Sequence, residues 1–468
     1  MTHSLLSQRR VGVLLHPTSL PSGKLDSDAE RWLQFLGDTG FSVWQVLPLG
    51  EPQVDLSPYQ CSSAFALNPA LFDVDEDIDT TDTSFLEFCD KQSYWLDDYA
   101  LFTVLKHQFK NASWVEWPLA LKQRDEDVLL ETRQQHSDAI TRIRWQQYCY
   151  HRRWLEIRTK ACDMNILLFG DMPIFVGYDS ADVWAHQDMF MLDEQGNMTV
   201  VTGVPPDYFS ETGQRWGNPH YDWDHMKQDG YSWWRSRVHH HLELFDLIRI
   251  DHFRGLQAVW VIDAGCDTAI DGHWQEVPGD DLLTNLKQSL AECHGELPFI
   301  AEDLGIITPE VTALRLKHEL PGMAVLQFGF DEFDDNPHKL KNIDHSRVVY
   351  TGTHDNDTTK GWYNSLAEYD KNLILESLGL SADIETINDD DVVDKMIENA
   401  MYSHANLSII PMQDYLHLGS QSRMNIPGTI EGNWSWRFQW QQLDDDRQRE
   451  FLAQVIESGR KPAIPEHD

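Results

Sequence analysis

Asp171, Asp251, Glu302, Asp331 and Asp355 each stand at or just past the end of a short apolar run, far apart in the chain. If the fold gathers those ends, several carboxylates converge with few bases to balance them. Like charges repel, so such a cluster is a poor structural device. It makes chemical sense where a reaction develops positive charge and one carboxyl group must hold a proton. Cleavage of a glycosidic bond has both demands. Its transition state resembles an oxocarbenium ion, with one carboxylate as nucleophile and one carboxylic acid as proton donor.

The densest chemistry lies in Asp246-Leu247-Ile248-Arg249-Ile250-Asp251-His252-Phe253-Arg254-Gly255. Leu247 to Ile250 suits a buried parallel strand. Side chains alternate along a strand, so Arg249 and Asp251 share one face. The guanidinium would keep the carboxylate ionised and fix its rotamer. Gly255 is expected to let the chain turn away. Taken alone, this stretch fits a structural ion pair equally well.

The elements that would position these residues can be read along the chain. Strands are expected at Val11 to Leu15, Val43 to Leu47, Ile166 to Gly170, Leu247 to Asp251, Phe299 to Asp303, Ala324 to Phe328, Arg347 to Thr351 and Ser408 to Pro411. Helical tracts separate several of them, and polar residues follow most carboxyl ends. That describes an α/β fold, a (β/α)₈ TIM barrel whose active site lies at the carboxyl ends of the strands. A doubly wound sheet is disfavoured, because no strand is followed by G-x-G-x-x-G or a Walker loop. One catalytic domain, 1–468, is expected, with large insertions after strands two and three forming subdomains around the barrel mouth. The first, 60–164, is mostly helical. The second, 172–240, carries a Gly-, Pro- and Trp-rich lid loop, 203–219, that includes Tyr208 and Phe209.

Composition narrows the partners. The 468 residues, 41% hydrophobic, are ample for a core. The net charge of −39 repels nucleic acid and anionic membrane surfaces, and no basic stripe offsets it. No apolar run is long enough to span a bilayer, and no basic-plus-apolar leader is seen at the N-terminus. The six cysteines show no C-x-x-C pairing and read as reduced thiols of a cytoplasmic protein. The 18 Trp, many beside Gly, Pro, Asn and Asp, offer flat faces for sugar rings.

Several blocks carry a resemblance. Arg249-Ile250-Asp251-His252-Phe253-Arg254-Gly255, Ala301-Glu302-Asp303-Leu304-Gly305 and Thr353-His354-Asp355-Asn356-Asp357 resemble signature segments of the 4-α-glucanotransferases, or amylomaltases, a branch of the α-amylase superfamily. So do His16-Pro17-Thr18-Ser19-Leu20-Pro21, Ser57-Pro58-Tyr59-Gln60, the lid segment from Pro205 to Pro219, and the block from Pro427 to Trp434. Cys61 departs from the Ser expected there.

The resemblance implies transfer of α-1,4-glucan segments among maltooligosaccharides, with glucose as an acceptor, by a retaining double displacement. It implies Asp251 as nucleophile, Glu302 as general acid/base and Asp355 as a partner of sugar hydroxyls, with His354 beside it. Asp171 and Arg249 would complete the site, Tyr59 would stack on the attacked ring, and Gln214 and Trp216 would reach in from the lid. Ser57 and Asp331 are further substrate-binding candidates. A metal-dependent hydrolase would need strand-end histidines, but the first strand offers His16 without an H-x-H, and His252 and His354 each adjoin a carboxylate. Neither a metal nor another cofactor is therefore expected. A purely glucan-binding protein should lack Asp251 or Glu302. An α-1,4-glucan hydrolase is the alternative, because it shares the first half of the reaction.

Overall fold

All eight apolar runs form strands of one parallel sheet. The computed structural model describes residues 6–53, 55–74, 77–206, 210–291, 296–380 and 387–464. In chain order the strands are β1 (Arg10–Leu14), β2 (Val43–Gln45), β3 (Leu167–Met172), β4 (Val200–Val204), β5 (Gln214–Pro219), β6 (Leu247–Ile250), β7 (Ala258–Asp263), β8 (Gly272–Glu276), β9 (Phe299–Ala301), β10 (Gly322–Val325), β11 (Arg347–Tyr350) and β12 (Leu407–Pro411). The parallel sheet runs β10-β11-β12-β1-β2-β3-β6-β9, with helices between most neighbours, so it curls into the expected (β/α)₈ barrel.

Strand alternation separates two apolar layers. Leu14, Val43, Phe169, Leu247, Ile300, Val348, Tyr350 and Ile409 fill the barrel. Val13, Trp44, Leu168, Ile248 and Val349 face outward into the layer beneath the helices. Between β2 and β3 the described chain is largely helical, ending in the long helix Ser137–Asp163. The helix Ser93–Gln108 buries Trp95, Leu96, Tyr99, Leu101, Phe102 and Leu105 around most of its circumference, as a helix enclosed by others must.

Among the element bounds, the sequence reading differs from the structure most in three places. Asp171 lies inside β3, not beyond it, because the strand continues to Met172 in register with Ile250. The sixth strand ends at Val325, and Leu326–Phe328 is a short 3₁₀ turn. Much of the expected lid loop is sheet: β4 and β5 pair antiparallel, and with β7 and β8 they form a four-stranded sheet in the order β5-β4-β7-β8. Gly203 pairs with Arg215, and a Cβ at Gly203 would lie 2.2 Å from the Gln214 carbonyl oxygen, so a side chain there would force the strands apart. Tyr208 and Phe209 lie outside the described residues.

The barrel seam lies between β9 and β10. The Ala301 N–H donates to the Pro321 carbonyl at 2.8 Å. One step on, a side chain replaces the backbone ladder: Met323 N–H donates to Asp303 Oδ1 at 2.8 Å. The other Asp303 oxygen faces Arg347 Nη1 at 2.7 Å and Arg315 Nε at 3.1 Å. Asp303 and Arg315 side chains are each only 4% exposed, so neither charge has water to fall back on. Removing one member of such a group leaves the others buried and uncompensated. Asp303→Asn should therefore lower unfolding free energy by about 3–5 kcal/mol. Urea denaturation measures it, and a loss under about 1 kcal/mol, the level of an exposed pair, would show that the seam does not depend on this group.

Candidate active site

Three inward positions at the carboxyl ends of neighbouring strands build the site. Phe169, Leu247 and Ile300 point into the barrel. Two residues beyond each stand Asp171, Arg249 and Glu302, and Asp251 is two beyond Arg249, so alternation sends all four toward the barrel mouth. Outward, Gly170 lies so close to Phe245 that a Cβ would meet the ring at 2.3 Å.

Arg249 is the hub. Its Nη1 donates to both Asp171 oxygens, at 2.9 and 2.7 Å. Its Nη2 lies 2.9 Å from Asp251 Oδ1. Arg249 and Asp171 side chains are 5% and 0% exposed, whereas Asp251 is 27% exposed, so Asp251 is the member that opens onto the cleft. Burial pushes the Asp171 carboxyl upward, and the Arg249 guanidinium opposes it. The paired carboxylates hold Arg249 firmly protonated despite its burial.

Tyr59 links this cluster to the loop after β11. Its O–H donates to Asp171 Oδ2 at 2.7 Å. The phenol oxygen is left to accept, and His354 Nε2 lies 2.9 Å away. Burial lowers the His354 pKa. The two rings stack at 5.3 Å with an interplanar angle of 16°. His354 Nε2 also lies 3.3 Å from Asp355 Oδ2. Trp434 tilts against both rings at about 6 Å.

Glu302 is held by backbone. His252 N–H donates to its Oε2 at 2.7 Å, and Leu304 N–H to its Oε1 at 2.9 Å. His252 reaches this pose with φ of 50°, a left-handed conformation that histidine tolerates better than most residues. His252, not Gly255, thus makes the turn after Asp251. Gly255 serves close packing instead, since a Cβ there would lie 2.8 Å from Ile174 Cδ1. Burial pushes the Glu302 carboxyl up to about 7, against the pull of Arg249 and with the Asp251 charge adding to the rise.

The remaining expected residues are placed as follows. Trp216, on β5, meets the His252 ring edge-on at 4.8 Å, and its indole N–H donates to Gln214 Oε1 at 3.1 Å. Ser57 acts one step back, its hydroxyl accepting from Tyr59 N–H at 3.3 Å. Asp331 is not drawn into the cluster. Its described contacts lie in its own loop, where Asn336 Nδ2 donates to it at 2.8 Å and Lys339 Nζ lies at 3.4 Å. The early end of β10 explains this, since five residues separate Val325 from Asp331. Sequence reasoning missed Asn425, whose Nδ2 donates to Asp355 Oδ1 at 2.6 Å, and Arg423, whose Nη2 donates to the Asp355 carbonyl at 2.9 Å. Both immediately precede the Pro427 block, and no feature of their own marked them. Among the described residues no group of three or more His, Cys, Asp or Glu could hold a metal ion.

The chain is similar to known proteins along most of its length. A family model described as 4-alpha-glucanotransferase matches residues 13–83 and 74–443. The chain is 43% identical to a 4-alpha-glucanotransferase of Thermus thermophilus, over 92% of this chain and 94% of that one. It is 40% identical to a chloroplastic/amyloplastic 4-alpha-glucanotransferase of Solanum tuberosum, over 92% of this chain and 82% of that one. An amylomaltase from Streptococcus agalactiae, solved in complex with acarbose, superposes with a TM-score of 0.89 at 31% identity, over 97% of this chain and 100% of that one.

Removing the hub has a consequence for stability. Arg249→Met leaves buried Asp171 beside Asp251 and Glu302 with no cation. The folded-state pKa values of Asp171 and Glu302, already raised by burial, then move further above the unfolded ones, so the folded protein binds more protons across that window. Stability should fall as pH rises through it, by up to about 1.4 kcal/mol per pH unit per group. The expected loss is about 3–5 kcal/mol at pH 8 and clearly less at pH 5. Urea midpoints at the two pH values test this, and an equal loss at both would mean that Arg249 does not compensate the carboxylates.

Proposed function

The chain belongs to the 4-alpha-glucanotransferase family, and from that premise we propose that it moves α-1,4-glucan segments by double displacement, with Asp251 as nucleophile and Glu302 as acid and base. The observation that carries this reading is the contrast in surroundings of two neighbouring carboxyl groups. Arg249 contacts Asp251 at 2.9 Å, whereas burial lifts Glu302 to about 7. One group is paired with a guanidinium, and the other, buried, keeps a proton near neutrality.

In the first half-reaction Asp251 attacks the anomeric carbon, and Glu302 protonates the departing glycosidic oxygen. In the second, Glu302, now a carboxylate, takes the proton from an acceptor hydroxyl as that oxygen displaces Asp251. Asp355 would accept hydrogen bonds from sugar hydroxyls, strengthening as positive charge develops. Tyr59, held by Asp171 and His354, would offer its ring to the attacked sugar. Maltooligosaccharides are the proposed donors, and glucose or a glucan end the acceptor. A cytoplasmic setting is proposed from six cysteines without C-x-x-C pairing.

Maltotriose tests the scheme. Separated products should be glucose and longer oligosaccharides with total reducing ends constant. Glu302→Gln should lose about 10²–10⁴-fold in rate, and Asp251→Asn at least as much, with the fold retained. The first half-reaction needs protonated Glu302, so kcat/KM should fall about tenfold per unit above pH 7. A rate independent of pH from 6 to 9 would remove Glu302 from the acid role.

Transfer competes with water at about 55 M, so an acceptor must be favoured by proximity and water kept from the intermediate. Trp216 is suited to this, lying edge-on over His252 beside the catalytic pair. Trp216→Ala should raise the share of hydrolysis, read as new reducing ends per glucose released from maltotriose. If both reactions fall in equal proportion, the partition is set elsewhere.

A further inference from the structure

We propose that Asn425 is a positioning residue for Asp355, with Arg423 holding the two segments together. This rests on the reading that Asp355 acts on the sugar. The Asp355 side chain is 47% exposed and would otherwise turn freely. One side-chain donor grips it: Asn425 Nδ2 donates to Oδ1 at 2.6 Å, while His354 Nε2 lies 3.3 Å from Oδ2. Arg423 acts on the backbone: its Nε donates to the Asn425 carbonyl at 3.2 Å and its Nη2 to the Asp355 carbonyl at 2.9 Å. Its Nη1 also lies 3.9 Å from Asp357 Oδ2. One planar fork thereby sets the spacing between the loop after β11 and the segment after β12.

The residue type matters. A lysine or arginine at 425 would orient Asp355 but also neutralise it, and a neutralised carboxylate contributes less to a developing cation. An amide donates without adding charge. Nearby Arg423 meets Asp355 at its carbonyl, with Asn425 occupying the carboxylate. Orientation and charge are therefore supplied separately.

The test compares Asn425→Ala with Asn425→Asp. Alanine removes the donor. Aspartate keeps the shape, removes the donor and puts a like charge in its place. A residue that merely packs should tolerate aspartate, its isostere, better than alanine. A positioning donor predicts the reverse at pH 7.5: a fall in kcat of about tenfold or more for alanine and a larger fall for aspartate, with KM changing less. It also predicts that aspartate recovers relative to wild type between pH 7.5 and 5, as the new carboxyl gains a proton and can donate again. If either variant is poorly folded, by melting temperature and circular dichroism, Arg423→Lys replaces it. Lysine lacks the planar fork and should lower kcat several-fold with KM little changed. The proposal is overturned if alanine costs as much as aspartate, if aspartate shows no recovery toward acid, or if Arg423→Lys, where it is needed, matches wild type. Asp355→Ala is run alongside. If it keeps wild-type turnover, the role of Asp355 is wrong; if it is inactive while the Asn425 variants match wild type, only the positioning role fails.

Discussion

Everything at the barrel mouth depends on one guanidinium serving two carboxylates. Asp171 and Asp251 stand on adjacent strands, with Glu302 on the next. Two like charges about 4 Å apart at an effective dielectric of about 20 repel by roughly 4 kcal/mol. A cluster of three anions could not persist there unaided. Arg249 turns one amino group to each of two partners, which a point-like ammonium could not do with fixed directions. Among the described residues, no hydrogen bond joins it to Glu302, and that asymmetry gives the two carboxyl groups different surroundings.

The backbone completes the separation. His252 takes a left-handed conformation that costs on the order of 1 kcal/mol, and thereby aims its N–H at Glu302. Leu304 supplies a second N–H, so each oxygen of Glu302 is fixed without any charged partner. These donors favour the anion, yet burial outweighs them and the proton is kept near neutrality. The Glu302 carboxyl is therefore fixed in orientation while able to gain or lose its proton near neutrality.

The barrel was legible because parallel strands buried on both faces read as short continuous apolar runs, and every one of the eight did. The inward residues followed from strand alternation alone, as with Arg249 and Asp251. The antiparallel sheet was not legible. β8 is exposed along most of its length and shows no apolar alternation, and β4 and β5 are broken by Gly203 and Gly217, which read as loop. Asp331 was misplaced because proximity to a predicted strand end says nothing about where a loop turns. Asn425 was invisible because its partner lies 70 residues away, and an isolated Asn has no spacing to betray it. Periodicity reveals what a residue shares with its own element. Contacts between loops depend on the closed barrel and must be observed.

The chain carries a net charge of −39, yet that charge does not set the chemistry. Surface carboxylates more than about 8 Å away are largely screened at physiological ionic strength. The groups that move the Glu302 proton all lie within the site: its own burial, Asp251, Arg249 and two backbone N–H groups. The acidic surface can follow the demands of solubility while the mouth of the barrel keeps its own balance of charge. Such a balance is set by geometry rather than by composition. It survives only while β3, β6 and β9 hold their registers, for a slip of one residue would turn Asp171, Arg249 or Glu302 out of the barrel.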